Sequence, residues 1–580
     1  MRCTTILPIL FLSVYSVFGA ALKIDPELKD LTSQGVVDVI VQYKNVPTEV
    51  QHRLIFARGG ELKHNLDIIR AAHYSVPANQ LKAISEDPNV EFVAPDRGVK
   101  GFAAAYTGSP DYGWRTVGAD LASNVYGING AGIGIVLLDS GTSNNADLND
   151  AFGHSRIVYT TSLVPNSDPN DHYGHGTHVS GILAGNGKAS LVPNSTYEVR
   201  GIAPAANIIS LKVLDDTGSG TDSTVIAGIQ MAIQLRSKYN IRVMNLSLGR
   251  PVTSSYLNDP LCQALQQAWQ AGIVVVVAAG NDGRDNSQGT AGYGTITAPG
   301  NSPYVITVGA MNTVGTLTPA DDKIASYSSK GPTAIDHIVK PDLVAPGNKV
   351  LSLNQGGSWF NKTYPANDVS LGVYTSTGAS NGNQYFVLSG TSMATPMVSG
   401  AAALLIQQNP SLTPDEIKAR LMKTATKFAP GYSTSTDAST GTTYTDAYDI
   451  FTIGAGYLNI PAALQNTDVL NGTALSPTAT LNRSTNMINI GPTGMSTNWG
   501  TSTSWGSSTS WGTSTSWGSS AIWGSSAVWG TSVFVSGSSA IWGTSAIWGT
   551  SEIWGTSTSW GTIKGADTSE SDTIAINGDN

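Results

Sequence analysis

Cysteine is nearly absent: the 580 residues hold two, Cys3 and Cys262. Cys3 lies in an N-terminal stretch that reads as a cleaved leader, so Cys262 is left alone and no intrachain disulfide can form in the mature product. Stability must then come from packing and any bound ions. Charge is also scarce. Only 13% of residues are charged, and 32 Lys plus Arg against 41 Asp plus Glu give a net charge of −9, a balance in which nothing suggests a nucleic-acid partner. No stretch reaches the ~18 consecutive apolar residues of a membrane span. The apolar run from Ile6 to Phe18 is shorter than that, follows Met1-Arg2 and precedes the small residues Gly19-Ala20-Ala21. It predicts a secretory signal peptide over residues 1–20 and an extracellular destination.

What is present divides into several units, as the length requires. Residues 36–99 predict a small α+β domain, with strands at Val37 to Tyr43, around Tyr74 to Val76 and at Val90 to Val93, and helices near Thr48 to Arg58 and Ala78 to Ser85. Residues 113–464 alternate apolar strands with helical patterns. The strands Ile133 to Asp139, Ile208 to Leu214, Val243 to Leu248, Ile273 to Ala279 and Val305 to Ala310 are short and almost wholly apolar, as strands buried on both faces are. Thr224 to Tyr239 and Pro260 to Gln270 are long enough to be crossover helices. The fold class is therefore α/β, a doubly wound, mostly parallel sheet with helices on both faces, whose ligands belong beyond the carboxyl ends of the strands.

Candidate chemistry falls at those ends. Gly390-Thr391-Ser392-Met393-Ala394-Thr395-Pro396 reads as a strand, a glycine turn and a helix start, which puts the Ser392 N–H among the unpaired donors of a first helical turn. A lone serine there is usually just a cap. Asp139 ends a strand in Leu137-Leu138-Asp139-Ser140-Gly141, where a turn role is the ordinary explanation. His172, His175 and His178 fall within seven residues. A zinc site is the rival reading, but neither an HExxH motif nor a cysteine pair supplies further ligands. Spacing alone does not choose among the three imidazoles. Asn245-Leu246-Ser247-Leu248-Gly249 and Ala278-Ala279-Gly280-Asn281-Asp282 both follow buried strands, where Asn and Gly are common turn residues.

Taken together and in this order, the segments resemble the subtilisin-like serine proteases (subtilases, peptidase family S8), with residues 36–99 similar to their I9-type inhibitory propeptide. The resemblance covers roughly Val36 to Leu464 and rests on Ser389 to Pro396, the His-Gly-Thr-His segment and the two Asn/Gly strand ends. It implies a catalytic triad of Asp139, His175 and Ser392, and an oxyanion hole made by the Asn281 side chain and the Ser392 N–H. It implies a peptide-binding cleft walled by Gly218, Ser219 and Gly220 on one side and by Ser247, Leu248 and Gly249 on the other, with Ala278, Ala279 and Gly280 lining the specificity pocket. The propeptide tail, Asp96 to Ala105, would lie in that cleft and be cut by the enzyme itself between Val93 and Ser109. The implied activity is a secreted, self-processing endopeptidase of broad specificity that acts on proteins and peptides, with its propeptide as intramolecular inhibitor. The chemistry needs no cofactor. Structural calcium is compatible with the family, but the segment from Gly185 to Gly201 is unlike its best-known calcium loop, so no metal ligand is assigned; Asp147 and Asp168 are the loop carboxylates that remain open to such a role. Met397 replaces the histidine that often follows the family's proline, at a position outside the chemistry.

Residues 465–497 read as a linker, 498–562 as a repeat and 563–580 as a flexible tail. The repeat is Trp-Gly-[Thr/Ser]-Ser every six residues: Trp499, Trp505, Trp511, Trp517, Trp523 and Trp529 keep phase, and one added residue shifts Trp542, Trp548, Trp554 and Trp560. An even period places the indoles of each phase on one face of a strand, and the slip between the two phases predicts a corner or turn there. Two readings compete, a disordered spacer and a stacked or surface-binding appendage; burying an indole is worth up to roughly 4–6 kcal/mol, which favours a face stacked on itself or on a ligand such as a glycan or cell surface.

Overall fold

A computed structural model describes residues 23–29, 35–101, 113–376, 384–428, 431–437, 439–470, 472–482, 487–491, 532–534 and 578–579. The expected signal peptide and most of the tryptophan repeat lie outside the described residues.

The centre is an eight-stranded sheet in the order Lys323–Ile324, Ile306–Asn312, Val274–Ala278, Ile241–Leu246, Gly134–Asp139, Asn207–Lys212, Ile157–Ser162, with Leu343–Pro346 added to the Ile306–Asn312 strand. Every pairing is parallel except that of Lys323–Ile324, which runs antiparallel. The inner strands Gly134–Asp139 and Val274–Ala278 are buried at every position, which explains why they carry almost nothing but β-branched and aliphatic residues. One layer holds the helices Thr391–Gln408 and His175–Ala184, packed on each other; the other holds Asp222–Tyr239 and Pro260–Gln270. The five strands and two helices expected from the sequence are all present, with ends shifted by one or two residues.

Residues 35–95 form their own antiparallel sheet, in the order Glu61–Leu66, Ala71–Pro77, Val36–Tyr43, Val90–Pro95, with a separate core around Val39, Val41, Tyr74 and Val93. Glu61–Leu66 has no counterpart in the sequence reading. It is an edge strand in which Glu61, Lys63 and Asn65 are exposed and of its six residues only Leu66 is buried, so its apolar alternation is weak. The sheet rests on Asp222–Tyr239 and Pro260–Gln270, with Gln42 bonded to Gln263 at 2.5 Å and the Ile68 N–H directed at Gln230 at 3.4 Å.

Two boundaries are corrected. The expected linker 465–497 carries an antiparallel pair, Thr478–Asn482 with Met487–Gly491, and Ala474, Ser476 and Ala479 are buried. Ser476 joins a buried group in which the Lys418 ammonium donates to its hydroxyl at 2.8 Å and that hydroxyl donates to Asp342 at 2.6 Å. A short polar segment becomes part of the domain because it completes a charge cluster, a contact without local periodicity. The expected flexible tail 563–580 likewise ends in a docked pair, Gly578-Asp579, with Asp579 fully buried. Residues 563–577 lie outside the described residues.

Candidate active site

Asp139 closes the strand Gly134–Asp139, and His175 opens the helix His175–Ala184. Their side chains meet: His175 Nδ1 lies 2.7 Å from Asp139 Oδ1, and both residues are buried. The Ser140 N–H donates to the same carboxylate oxygen at 2.8 Å. A carboxylate accepts, so Nδ1 carries the proton and Nε2 is left as the basic nitrogen. Asp171 braces this corner: its carboxylate accepts from the Gly174 N–H and the Thr177 N–H, each at 2.7 Å, and from the Ser140 hydroxyl at 2.9 Å. Burial pushes the Asp171 pKa up. No motif pointed to Asp171, because an aspartate one residue before a histidine has an ordinary capping explanation.

The other two histidines of the cluster are separated from the pair. His178 Nε2 faces the carbonyls of Val350 and Phe386 at 3.2 and 3.1 Å, and burial pulls its pKa down to about 3. His172 is half-exposed and approaches Asp168 at 3.1 Å. Among the described residues no three His, Cys, Asp or Glu side chains converge on a common point as metal ligands would. The Asp147 carboxylate is occupied by the Ala189 N–H and the Tyr385 hydroxyl, both at 2.6 Å.

Gly390, at φ 149°, makes the turn from the strand Tyr385–Leu388 into the helix Thr391–Gln408, and Ser392 is the second residue of that helix. The helix contains Pro396, which has no N–H to give to the carbonyl four residues earlier. That carbonyl belongs to Ser392, and the Ser247 hydroxyl donates to it instead at 2.8 Å. The exchange is reciprocal: the Ser392 hydroxyl donates to the Ser247 carbonyl at 3.0 Å. Asn245 holds the pair in place, donating to the Ser247 hydroxyl at 3.0 Å and accepting from Ser399 at 2.8 Å. The proline within the helix thus explains why a serine is needed opposite it.

Asn281 lies beside this turn. Its side-chain carbonyl accepts from the N–H and the hydroxyl of Thr391, both at 2.9 Å, while its amide nitrogen is buried with no partner among the described residues. The Gly280 N–H also donates to the Thr391 hydroxyl, at 3.2 Å. A Cβ at Gly249 or at Gly280 would come within 2.6 or 2.7 Å of the Thr297 side chain, so Thr297 sets the width between the two walls. Neither Thr297 nor Thr391 stood out in the sequence; each acts through contacts with residues distant along the chain.

The expected cleft walls are two short strands, Ser219–Thr221 and Leu248–Gly249, and a third strand, Gly98–Gly101, runs antiparallel between them. Val99 faces Gly220, Lys100 lies between Ser219 and Gly249, and Gly101 faces Leu248. Asp96 anchors the strand from upstream, accepting from the N–H and hydroxyl of Ser223 at 2.6 Å each at the start of the helix Asp222–Tyr239. Of the window in which the cut was expected, residues 102–109 lie outside the described residues. Tyr173 closes one wall: a Cβ at Gly218, where φ is 76°, would meet its ring at 2.4 Å. The buried Arg250 guanidinium ties this region together through Asp222 at 2.8 Å and Asp259 at 2.7 Å.

A buried Asp–His pair and a helix-start serine on a mostly parallel sheet are the layout of an α/β serine hydrolase. Residues 130–456 match the subtilase family, Peptidase_S8. The chain is 35% identical over 412 residues to serine protease AprX of Bacillus subtilis (strain 168), covering 68% of this chain and 84% of that one. It is 32% identical over 413 residues to subtilisin E of the same organism, covering 71% and 85%. Among solved structures it is similar to fervidolysin from Fervidobacterium pennivorans, described as a keratinolytic enzyme related to subtilisin, with a TM-score of 0.55 at 22% identity, covering 78% of this chain and 64% of that one. The chain belongs to the subtilase family and is a subtilisin-type serine endopeptidase.

Proposed function

We propose that the chain is a secreted serine endopeptidase of broad specificity, made as a zymogen that its own N-terminal unit inhibits until self-cleavage. The observation that carries this reading is the strand Gly98–Gly101, seated between Ser219–Thr221 and Leu248–Gly249 in the position a peptide substrate would take by strand addition. Asp139, His175 and Ser392 are the triad in this reading. The Ser392 hydroxyl leaves the Ser247 carbonyl, gives its proton to His175 Nε2, and its Oγ bonds to the scissile carbon. The oxyanion so formed is held by the Asn281 amide and the Ser392 N–H. The C–N bond then breaks, the imidazolium protonates the departing amine, and water attacks the acyl-enzyme by the same proton route in reverse. Asp139 keeps His175 in the tautomer this requires and stabilises the imidazolium.

No charged side chain stands among the wall residues Ser247 to Gly249 and Ala278 to Gly280, which supports broad specificity. Calcium plays no part in these steps. The tryptophan repeat adds a glycan or cell-surface contact. Lack of retention of the full chain, relative to a chain without residues 498–562, on polysaccharide or cell envelope would remove that element of the reading.

The whole is tested on the full chain beside its Ser392→Ala variant, by intact mass, casein hydrolysis and inhibition by a serine-directed phosphonylating reagent. Loss of the N-terminal unit and inhibitable hydrolysis are expected in the parent alone. Processing of purified Ser392→Ala in the absence of other proteases would overturn the assignment of the nucleophile.

A further inference from the structure

The last described residues of the chain, Gly578-Asp579, occupy a pocket that selects for them position by position. The Asp579 carboxylate accepts from Arg284 Nη2 at 2.9 Å, from the Ser326 hydroxyl at 2.6 Å and from the Ser326 N–H at 2.6 Å. Its main chain is read as well: the Asp579 N–H donates to Asn348 Oδ1 at 2.9 Å, and Asn348 Nδ2 donates to the Asp579 carbonyl at 3.2 Å. Glycine suits position 578 best. Its φ is 57°, and a Cβ there would come within 2.5 Å of Asn348 Oδ1 and 2.7 Å of Ser389 Oγ. Arg284 is nearly inaccessible, is paired with Asp437 at 3.2 Å on its other nitrogen, and lies near the rings of Tyr327 and Tyr444. Without the tail, Arg284 would keep Asp437, but the Ser326 N–H and both ends of the Asn348 amide would lose these partners to water.

We propose that this pocket is a binding site for a Gly-Asp segment, that its occupant is the chain's own Gly578-Asp579, and that occupancy fastens this segment to those carrying Asn281 and Ser392. The partners place it there. Arg284 is three residues beyond Asn281, and the Gly283 N–H bonds the Tyr327 carbonyl at 2.9 Å, next to Ser326. On the other side, the Lys349 N–H donates to Ser389 Oγ at 2.7 Å and the Gly390 N–H to the Gly347 carbonyl at 2.8 Å, so Asn348 sits within the clasp that holds the turn into the nucleophile helix. The occupant is the chain's own tail because a tethered ligand is present at high effective concentration.

The test uses the full chain with Ser392→Ala, to prevent self-digestion, and the same chain shortened by residues 578–580. A labelled peptide of residues 575–580, Ala-Ile-Asn-Gly-Asp-Asn, should bind the shortened chain saturably and the full chain not at all. An Asp579→Asn peptide should bind at least about tenfold more weakly, and a Gly578→Ala peptide not measurably. Shortening should lower the thermal midpoint by several degrees, with recovery on adding the peptide. Equal binding to both chains, absence of binding, or coincident midpoints would overturn the proposal. Should the shortened chain fail to fold, the Asp579→Asn full chain takes its place: added parent peptide should raise its midpoint, and no gain would count against the site.

Discussion

Asn281 and Thr391 are joined twice, through the N–H and the hydroxyl of Thr391, each at 2.9 Å from the same side-chain oxygen. That arrangement fixes which end of the amide is the donor and leaves the buried nitrogen without a partner among the described residues, as the proposed oxyanion role requires. Asn281→Ala should therefore lower kcat by about 10²–10³, the range found for removal of the oxyanion asparagine in a subtilisin, with KM little changed. Thr391→Val should act in the same direction but less, because the N–H bond to Asn281 remains. Steady-state kinetics on one peptide substrate separates the two. A KM effect with kcat intact would place Asn281 in binding and not in the chemistry.

Asp139 accepts from both His175 Nδ1 and the Ser140 N–H, at 2.7 and 2.8 Å. Asp139→Asn keeps the size but offers the imidazole an amide that can hold the wrong tautomer. About a 10⁴-fold loss in kcat is expected, as in other serine triads, with an unchanged circular dichroism spectrum. A loss below tenfold would show that His175 does not depend on this carboxylate.

Much of this site was legible in the sequence because its parts are local. Gly390 before Ser392 announces a turn into a helix, and Asp139 after an apolar run announces a strand end. What escaped was long-range. The proline-orphaned carbonyl of Ser392 is satisfied by Ser247, 145 residues away, and Arg284 is met by Asp579 at a separation of 295. Such pairings leave no periodic trace, so Gly578-Asp579 has the composition of a loose tail and the behaviour of a ligand. Residues 465–497 were misread as a linker for the same reason, since Ser476 gains its place from Lys418 and Asp342. Spacing alone does not choose among the three histidines; the family resemblance names His175, and the fold sets that ring against Asp139 while His178 faces backbone carbonyls.

Cys262 is buried, and burial pushes its thiol pKa well above the usual value. The folded protein should not react with a disulfide exchange reagent such as dithionitrobenzoate on a time scale of minutes, and should react fully in guanidinium. The count then reports on the leader. One thiol per chain is expected if Cys3 has been removed and two if it has not. Rapid labelling of the folded, processed form would show that the helix Pro260–Gln270 opens readily.

His178 gives the acid limit of stability a specific source. Nε2 carries the hydrogen that faces the Val350 and Phe386 carbonyls, while the buried Nδ1 has no partner among the described residues, so a second proton would find no acceptor. Burial, and next the nearby His175, lower the folded-state pKa to about 3, below the ~6.5 of an unfolded histidine. Between these values the unfolded chain binds the proton and the folded chain does not. The stabilisation is therefore complete above about pH 6.5 and is lost as pH falls toward 3, at up to about 1.4 kcal/mol per pH unit. His178→Gln keeps a donor for the two carbonyls but has no proton to gain. In a Ser392→Ala background its unfolding free energy, measured by denaturant titration, should fall less steeply than the parent's between pH 6 and 4 by about that slope. Parallel curves for the two proteins would mean that the acid sensitivity resides in other groups.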